Sequence, residues 1–431
     1  MIYITLITFT SWLLTLTLGQ NLVLIGGNLR VDNAIVWEKM VKLAGGQDVA
    51  RIGVVSASDD VTTEGDRVIG TFLRLGVKVT GIPVNESRVN DTAVVNIIMQ
   101  QTGIFIVEDS EDKPDSFWNR FTSLIRPTGS PGEPPMGVVC YETTSYKRQN
   151  LLETLRPSGV DSPVLRAIQS VLKKGGMVAG NAAIMGKAPV IISGDSISSL
   201  LAGTRFFSSP RDQFLFRKEG GLALLNMDYV IDSHLSEKGR EMRTIRTLLE
   251  SNITRGIGVD ENTALVVNNP LAMPVGKVVT ALGVISGVFY VDVSMVPAVS
   301  MTNALYENVI FSFFTVDDSL DFTSGKVIYP SWKKRMFGLE QFKSAVPSDD
   351  IFSLVWPSQW RQTALRLMNC NEMNVTSHSP ASIVPLVPGV TVVFDRSGAV
   401  GFAAHLPDNF SNTYVISFQG MSASVKVLRI L

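Results

Sequence analysis

The run Leu22-Val-Leu-Ile-Gly-Gly27, followed by Leu43-Ala-Gly-Gly46 and then Arg51-Ile-Gly-Val-Val-Ser-Ala-Ser58, decides the fold. Leu22–Ile25 and Ile52–Ser56 are short apolar runs closed by glycine or polar residues, as in strands covered on both faces. Between them Val36, Met40 and Leu43 recur at helical spacing within Asp32–Ala44, and Gly45-Gly46 ends the run. Strand, helix and strand in that order make a parallel pair joined by a crossover.

Outward from this unit the alternation continues. Strands are expected at Val77–Ile82, Ile104–Val107, Gly137–Tyr141, Met177–Ala179 and Tyr229–Ile231. Ser162-Pro163 opens a helix as cap and first-turn proline. Val164, Ile168, Val171 and Leu172 form its inner face, Lys173-Lys174 suit its negative end, and Gly175 stops it. The pattern predicts an α/β fold with a doubly wound, mostly parallel sheet over residues 20–296. Thr128–Pro135 is a Pro/Gly-rich loop. From about Pro297 short strand-like runs take over, at Thr391–Phe394, Thr413–Phe418 and Ser424–Ile430, separated by turns such as Asp395-Arg-Ser-Gly398. Residues 297–431 are therefore expected to form a β-rich extension.

Bulk properties narrow the function. With 431 residues, 45% hydrophobic and 18% charged, the chain can bury a large core. Its net charge is −1, and no run of like charges breaks the balance, so nothing steers it to nucleic acid. Residues 2–18 are apolar or hydroxylic and uncharged, and Thr17 and Gly19 offer the small side chains of a cleavage site. Residues 1–19 are read as a signal peptide, with no membrane span after its removal. Asn85, Asn90, Asn252, Asn374 and Asn409 each open an Asn-x-Ser/Thr triplet without proline. One such site could be chance; five behind a signal peptide point to the secretory pathway. Cys140 and Cys370, the two cysteines, could pair in that compartment or stand as two buried thiols. Three histidines and two cysteines show no metal-ligand spacing, and no cofactor is expected. Gly26-Gly27-Asn28 lacks the dinucleotide glycine pattern.

Four segments together resemble one family. These are the opening unit; Ser162-Pro leading to Lys174-Gly-Gly-Met-Val-Ala-Gly180; Tyr229-Val-Ile-Asp-Ser-His234 with Arg240 and Arg243; and Gly256-Ile-Gly-Val-Asp-Glu-Asn-Thr-Ala264. Their order and spacing over roughly residues 21–295 resemble the cyanophycinase-type serine peptidases. The resemblance implies a flavodoxin-like, glutamine amidotransferase-like sheet and hydrolysis of acidic or β-aspartyl peptides. It also implies a nucleophilic Ser on a tight turn between strand and helix.

The sequence departs from the family at that turn. Gly180-Asn-Ala-Ala-Ile-Met185 puts Ala182 where the resemblance implies the Ser, and Ile184 where it implies a glycine. A methyl group cannot attack a carbonyl. Glu108-Asp109 stand where backbone donors to an oxyanion are implied, and carboxylates there repel it. His234 takes the position of the implied base and Asp232 lies beside it. Both are read as retained packing groups of a degenerate site. Ser233 replaces the family's Gln and Lys238 its first Arg. Lys238, Arg240 and Arg243 are candidates for holding an anionic ligand, or else form a solvated face with Glu237 and Glu241 pairing locally. Asp260 and Glu261 are read as turn-closing caps. The reading is a secreted non-catalytic protein with a structural, matrix or ligand-binding role, an extracellular partner and possible homodimerisation. Its rival is an active hydrolase using Ser193, Ser196 or Cys140.

Overall fold

The computed structural model describes residues 21–58, 62–108, 150–202, 214–268, 271–276, 286–297, 305–383, 386–406 and 413–428. Gly137–Tyr141, Thr128–Pro135, the segment 1–19, Asp109, Cys140 and Asn409 lie outside them.

Five strands run parallel: β1 (Asn21–Ile25), β2 (Arg51–Ser56), β3 (Lys78–Pro83), β4 (Gly103–Val107) and β5 (Met177–Asn181). Their order is β3-β2-β4-β5-β1. Beyond β1 the same sheet continues antiparallel through Ala264–Asn268, Leu271–Val275, Ser319–Asp321 and Lys326–Ile328, making nine strands. The alternation of side chains along β1 feeds two cores. Leu22 and Leu24 pack with Val164, Leu165 and Ile168 of the helix Pro163–Lys173. Val23 and Ile25 pack with Val36, Trp37 and Met40 of the helix Ala34–Leu43 on the opposite face. The sheet is thus covered on both sides, as its apolar runs require. The expected α/β class is present, with the β-rich part beside it.

Local chemistry sets the helix ends. Ser162 Oγ accepts from Leu165 N at 3.1 Å, and Pro163 takes the first turn, where its missing N–H costs nothing. The helix expected from Asp32 begins two residues later. Asn33 is its cap residue, but its side chain is drawn away to donate to Asn262 O and Oδ1.

A second sheet has the order Lys334–Arg335, Val400–His405, Tyr414–Val427, Leu305–Phe314, Val288–Asp292, Arg255–Val259 and Val230–Ser233. Val390–Asp395 pairs with the Tyr414–Val427 strand, and Asn374–Ser379 pairs with Val390–Asp395. This sheet runs without a break across residue 296, because Val288–Asp292 lies between Arg255–Val259 and Leu305–Phe314. The strand expected at Tyr229–Ile231 therefore joins the β-rich sheet, not the parallel one. The expected runs Thr413–Phe418 and Ser424–Ile430 fall largely on one long strand, Tyr414–Val427. The core here is aromatic: Trp360, from the helix Gln359–Met368, meets Phe394 edge-on at 4.7 Å and Phe311 at 5.6 Å. Cys370 is a buried thiol that donates to Leu367 O at 3.4 Å. No helix among the described residues is long and apolar enough to cross a membrane.

Candidate functional site

Ile25 pairs with Asn181, so β1 and β5 finish side by side at their C-terminal ends, where ligands of open α/β sheets bind. From β5 the chain turns at once into the short helix Ala182–Met185. Asn181 caps it, its Oδ1 accepting from Ala183 N at 3.0 Å. Ala182 is fully buried at the first helical position. Ile184, where the resemblance implies a glycine, finds room in the core under the parallel sheet.

The second component comes from the other sheet. His234 follows the strand Val230–Ser233 with φ at +53°, and its N–H donates to Gly26 O at 2.8 Å. That bond ties the two sheets together at the site. A Cβ on Gly27 would lie 2.0 Å from His234 Nε2, and Gly27 has φ at +97°. The Gly-Gly turn after β1 is thus what admits the imidazole. On the other side of the ring, Nδ1 stands 2.7 Å from Glu261 Oε1. Burial pushes the imidazole down to about 4, helped by the charges of Lys238 and Arg240 and opposed by Glu261. Glu261 is half-buried, which alone would raise it, yet its bonds to His234 and Asn28 and the Lys238 charge hold it down at about 2. At neutral pH the pair is a neutral imidazole beside a carboxylate. Nδ1–H then donates to Glu261, and Nε2 keeps its lone pair.

Gly27→Ala is expected to evict the ring from this seat. The His234 imidazole then loses Glu261 and returns toward 6.5. An NMR pH titration reads this, since the chain has only 3 histidines. An unmoved His234 titration in the variant contradicts the packing argument.

His234 opens onto a cavity of about 70 Å³ lined by Gly27, Asn28, Glu64, Arg67, Glu108, Asn181, Lys238 and Arg240, with Ile25, Leu29, Phe105, Ile106 and Val107. Of the expected site residues, it gathers Glu108, His234, Lys238 and Arg240. Ala182 is not among its lining, and neither is any hydroxyl or thiol of the described residues. Arg67 is held by Glu64 and donates to Leu29 O at 3.0 Å. Arg240 donates to Ser233 O at 3.0 Å. Among the described residues, no group of His, Cys, Asp or Glu could hold a metal ion.

Asp232 and Arg243 lie elsewhere. Arg243 is neither ligand-facing nor a solvated helix residue. Its Nε and Nη2 reach Asp232 Oδ2 and Oδ1 at 2.7 and 2.6 Å, and its Nη1 donates to Gly194 O at 2.7 Å. Asp232 is fully buried and also accepts from Ser233 N and Thr244 Oγ1. The two are committed to each other. Local pairing of Glu237 and Glu241 is also absent, for a topological reason. Glu237 Oε1 is 3.1 Å from Arg361 Nη1, on the helix Gln359–Met368 of the β-rich part. Arg361 pairs in turn with Asp260. Asp260 accepts from Ser236 N and Gly287 N at 3.2 Å, so it does close a turn, as expected, but around a buried guanidinium. Glu261, expected to be a cap, instead orients the histidine.

The fold and site define an α/β protein with an imidazole–carboxylate pair at the ends of parallel strands and no nucleophile among the described cavity residues. No family model matches the chain. It is similar to a solved structure of a protein provisionally designated a peptidase E from Listeria monocytogenes EGD-e, at 12% identity and a TM-score of 0.32, over 59% of this chain and 98% of that one.

Proposed function

We propose that this chain is a secreted, non-catalytic relative of the cyanophycinase-type peptidases, whose old cleft survives as a small polar binding cavity in an extracellular or matrix-associated protein. The observation that carries this reading is a base without a nucleophile. His234 is seated and oriented by Glu261, yet no Ser, Thr, Cys or Tyr of the described residues lines the cavity it faces. Ala182 occupies the elbow and is fully buried. Of the rival nucleophiles, Ser196 is fully buried with its Oγ accepting from Met242 N at 2.9 Å, and neither it nor Ser193 lines the cavity. Cys140 lies outside the described residues. Secretion draws support from Asn90, Asn252 and Asn374, which are exposed at turns or strand edges where a glycan can be attached.

The test is active-site labelling of the chain purified from a secretory host. Neither a fluorophosphonate nor iodoacetamide is expected to label it in a His234-dependent way. Ala182→Ser is expected to stay silent too, because its hydroxyl would be buried in the junction. Stoichiometric labelling at one Ser or Cys that disappears in His234→Gln would sink the non-catalytic reading. Glycosidase treatment is expected to lower the mass of the secreted chain; an unchanged mass contradicts the secretory part. With Arg67 already held by Glu64, Lys238 and Arg240 are the cations that favour an anionic ligand, and calorimetric titration with aspartyl peptides tests that choice.

A further inference from the structure

Where the β-rich part meets the His234 segment, two carboxylates pair with one guanidinium, and the buried Glu241 carboxyl lies within electrostatic reach of all three. Arg361 is 2% exposed and reaches both Glu237 and Asp260. Asp260 is fully buried and Glu241 is 4% exposed. Both carboxyl oxygens of Glu241 are buried without a hydrogen-bond partner. One guanidinium balances one carboxylate, so the excess acid at this junction has to be carried as protons. The surrounding charges do not change that. Asp232 and Arg243 satisfy each other, and Glu261 is engaged by His234. Lys238 and Arg240 line the cavity.

The same junction holds the two parts of the chain together. Ser358 N donates to Ser236 O at 2.9 Å, and Arg361 Nη2 donates to Ser358 Oγ at 2.9 Å. A Cβ on Gly239 would come within 2.8 Å of Phe352 O, so the two backbones are in close contact there. Glu237 Oε2 accepts from Glu261 N at 3.1 Å, and Glu261 is the residue that orients His234. The junction is therefore one step from the cavity.

We propose that Glu237, Glu241, Asp260 and Arg361 form a proton-controlled latch, closed while the excess carboxyls are protonated and released when they ionise, that docks the helix Gln359–Met368 of the β-rich part on the His234 segment. Burial, then the Asp260 charge, pushes Glu237 up to about 8, and burial likewise drives Glu241 well above the usual carboxylate range. Ionisation stacks negative charge against a single Arg361. Moving the start of the helix outward lets water reach the carboxylates and relieves it. This inference does not rest on the cavity's being non-catalytic.

Trp360 reports on the latch. It is 2% exposed, adjoins Arg361 and stacks at 6.1 Å on Phe352. Acrylamide quenching of the full chain, with Trp360→Phe to isolate its signal among the 6 tryptophans, is measured from pH 6 to pH 9.5. The Trp360 component is expected to become at least about twofold more quenchable through a transition near the Glu237 value, with far-UV circular dichroism unchanged. The double variant Glu237→Gln/Glu241→Gln is expected to stay protected throughout, because the amides cannot ionise. Glu237→Gln alone, the milder change, is expected to shift the transition upward or abolish it. A flat wild-type curve overturns the proposal. So does the same transition persisting in both variants, or loss of secondary structure together with Trp360 exposure.

Discussion

Arg243→Met is expected to lower the unfolding free energy by about 3–5 kcal/mol, a large share of what a folded domain holds in reserve. The reason is the stranded partner, not the lost attraction. Asp232 is fully buried, and its two strongest donors are the Nε and Nη2 of Arg243, at 2.7 and 2.6 Å. Methionine keeps the aliphatic stem and removes the charge, leaving a fully buried carboxylate without its cationic partner. The pairing also anchors the helix Glu241–Glu250 to the strand Val230–Ser233 and to Gly194 O, so the loss spreads over three segments. Asp232→Asn combined with Arg243→Met removes both charges at once and is expected to recover more than half of the loss. Urea unfolding at pH 7 measures all three. A single-variant cost under about 1 kcal/mol, the scale of a surface pair, contradicts the buried-pair assignment.

This pair also marks the limit of what the sequence discloses. Arg240 and Arg243 look equivalent in the chain: both are basic and close to His234. Yet Arg240 lines the cavity while Arg243 points into the protein. A periodicity argument assigns faces only after the element that covers each face is known, and here the cover on the Arg243 side includes the segment at Gly194. The β-α-β opening and the helix from Pro163 were legible because local chemistry fixes them: glycine stops, a Ser cap, apolar runs of strand length. The strand at Tyr229 was legible as a strand but not as a member of the second sheet, because its neighbour Arg255–Val259 and the next strand beyond, Val288–Asp292, resemble core strands of either sheet. Glu261 is 27 residues from His234, and only folding shows that their side chains meet. Arg361 is 101 residues from Asp260 and falls in the region that no motif covers. Asn181 lies in the Gly180–Met185 segment, but its capping of the next helix and its place at the cavity depend on the turn that follows β5.

His234→Gln is expected to remove a stability term that is present at neutral pH and absent in acid. The imidazole sits at about 4 in the folded chain against 6.5 when unfolded, with burial the main cause and Lys238 adding to it. Between those values the unfolded chain binds a proton that the folded chain refuses, so stability falls as pH falls. The term is complete above pH 6.5 and gone near pH 4, and its size is about 3 kcal/mol. Glu237 acts with the opposite sign. Its folded value of about 8 lies above 4.5, so its contribution is greatest in acid and is lost as pH rises toward 8. The two oppose each other between pH 4.5 and 6.5, and Glu241, also raised by burial, adds to the Glu237 side, so the wild-type curve alone isolates none of them. The difference between wild type and His234→Gln isolates the ring, because Glu237 and Glu241 are common to both. That difference is expected to decline steadily on going from pH 6.5 to 4.5, a window in which Glu261, held at about 2, stays ionised. Below it Glu261 begins to lose its own contribution, and the comparison no longer isolates the ring. A flat difference means the imidazole takes up its proton as readily in the fold as outside it. That outcome would remove the basis for a neutral His234 with its Nε2 lone pair at the cavity.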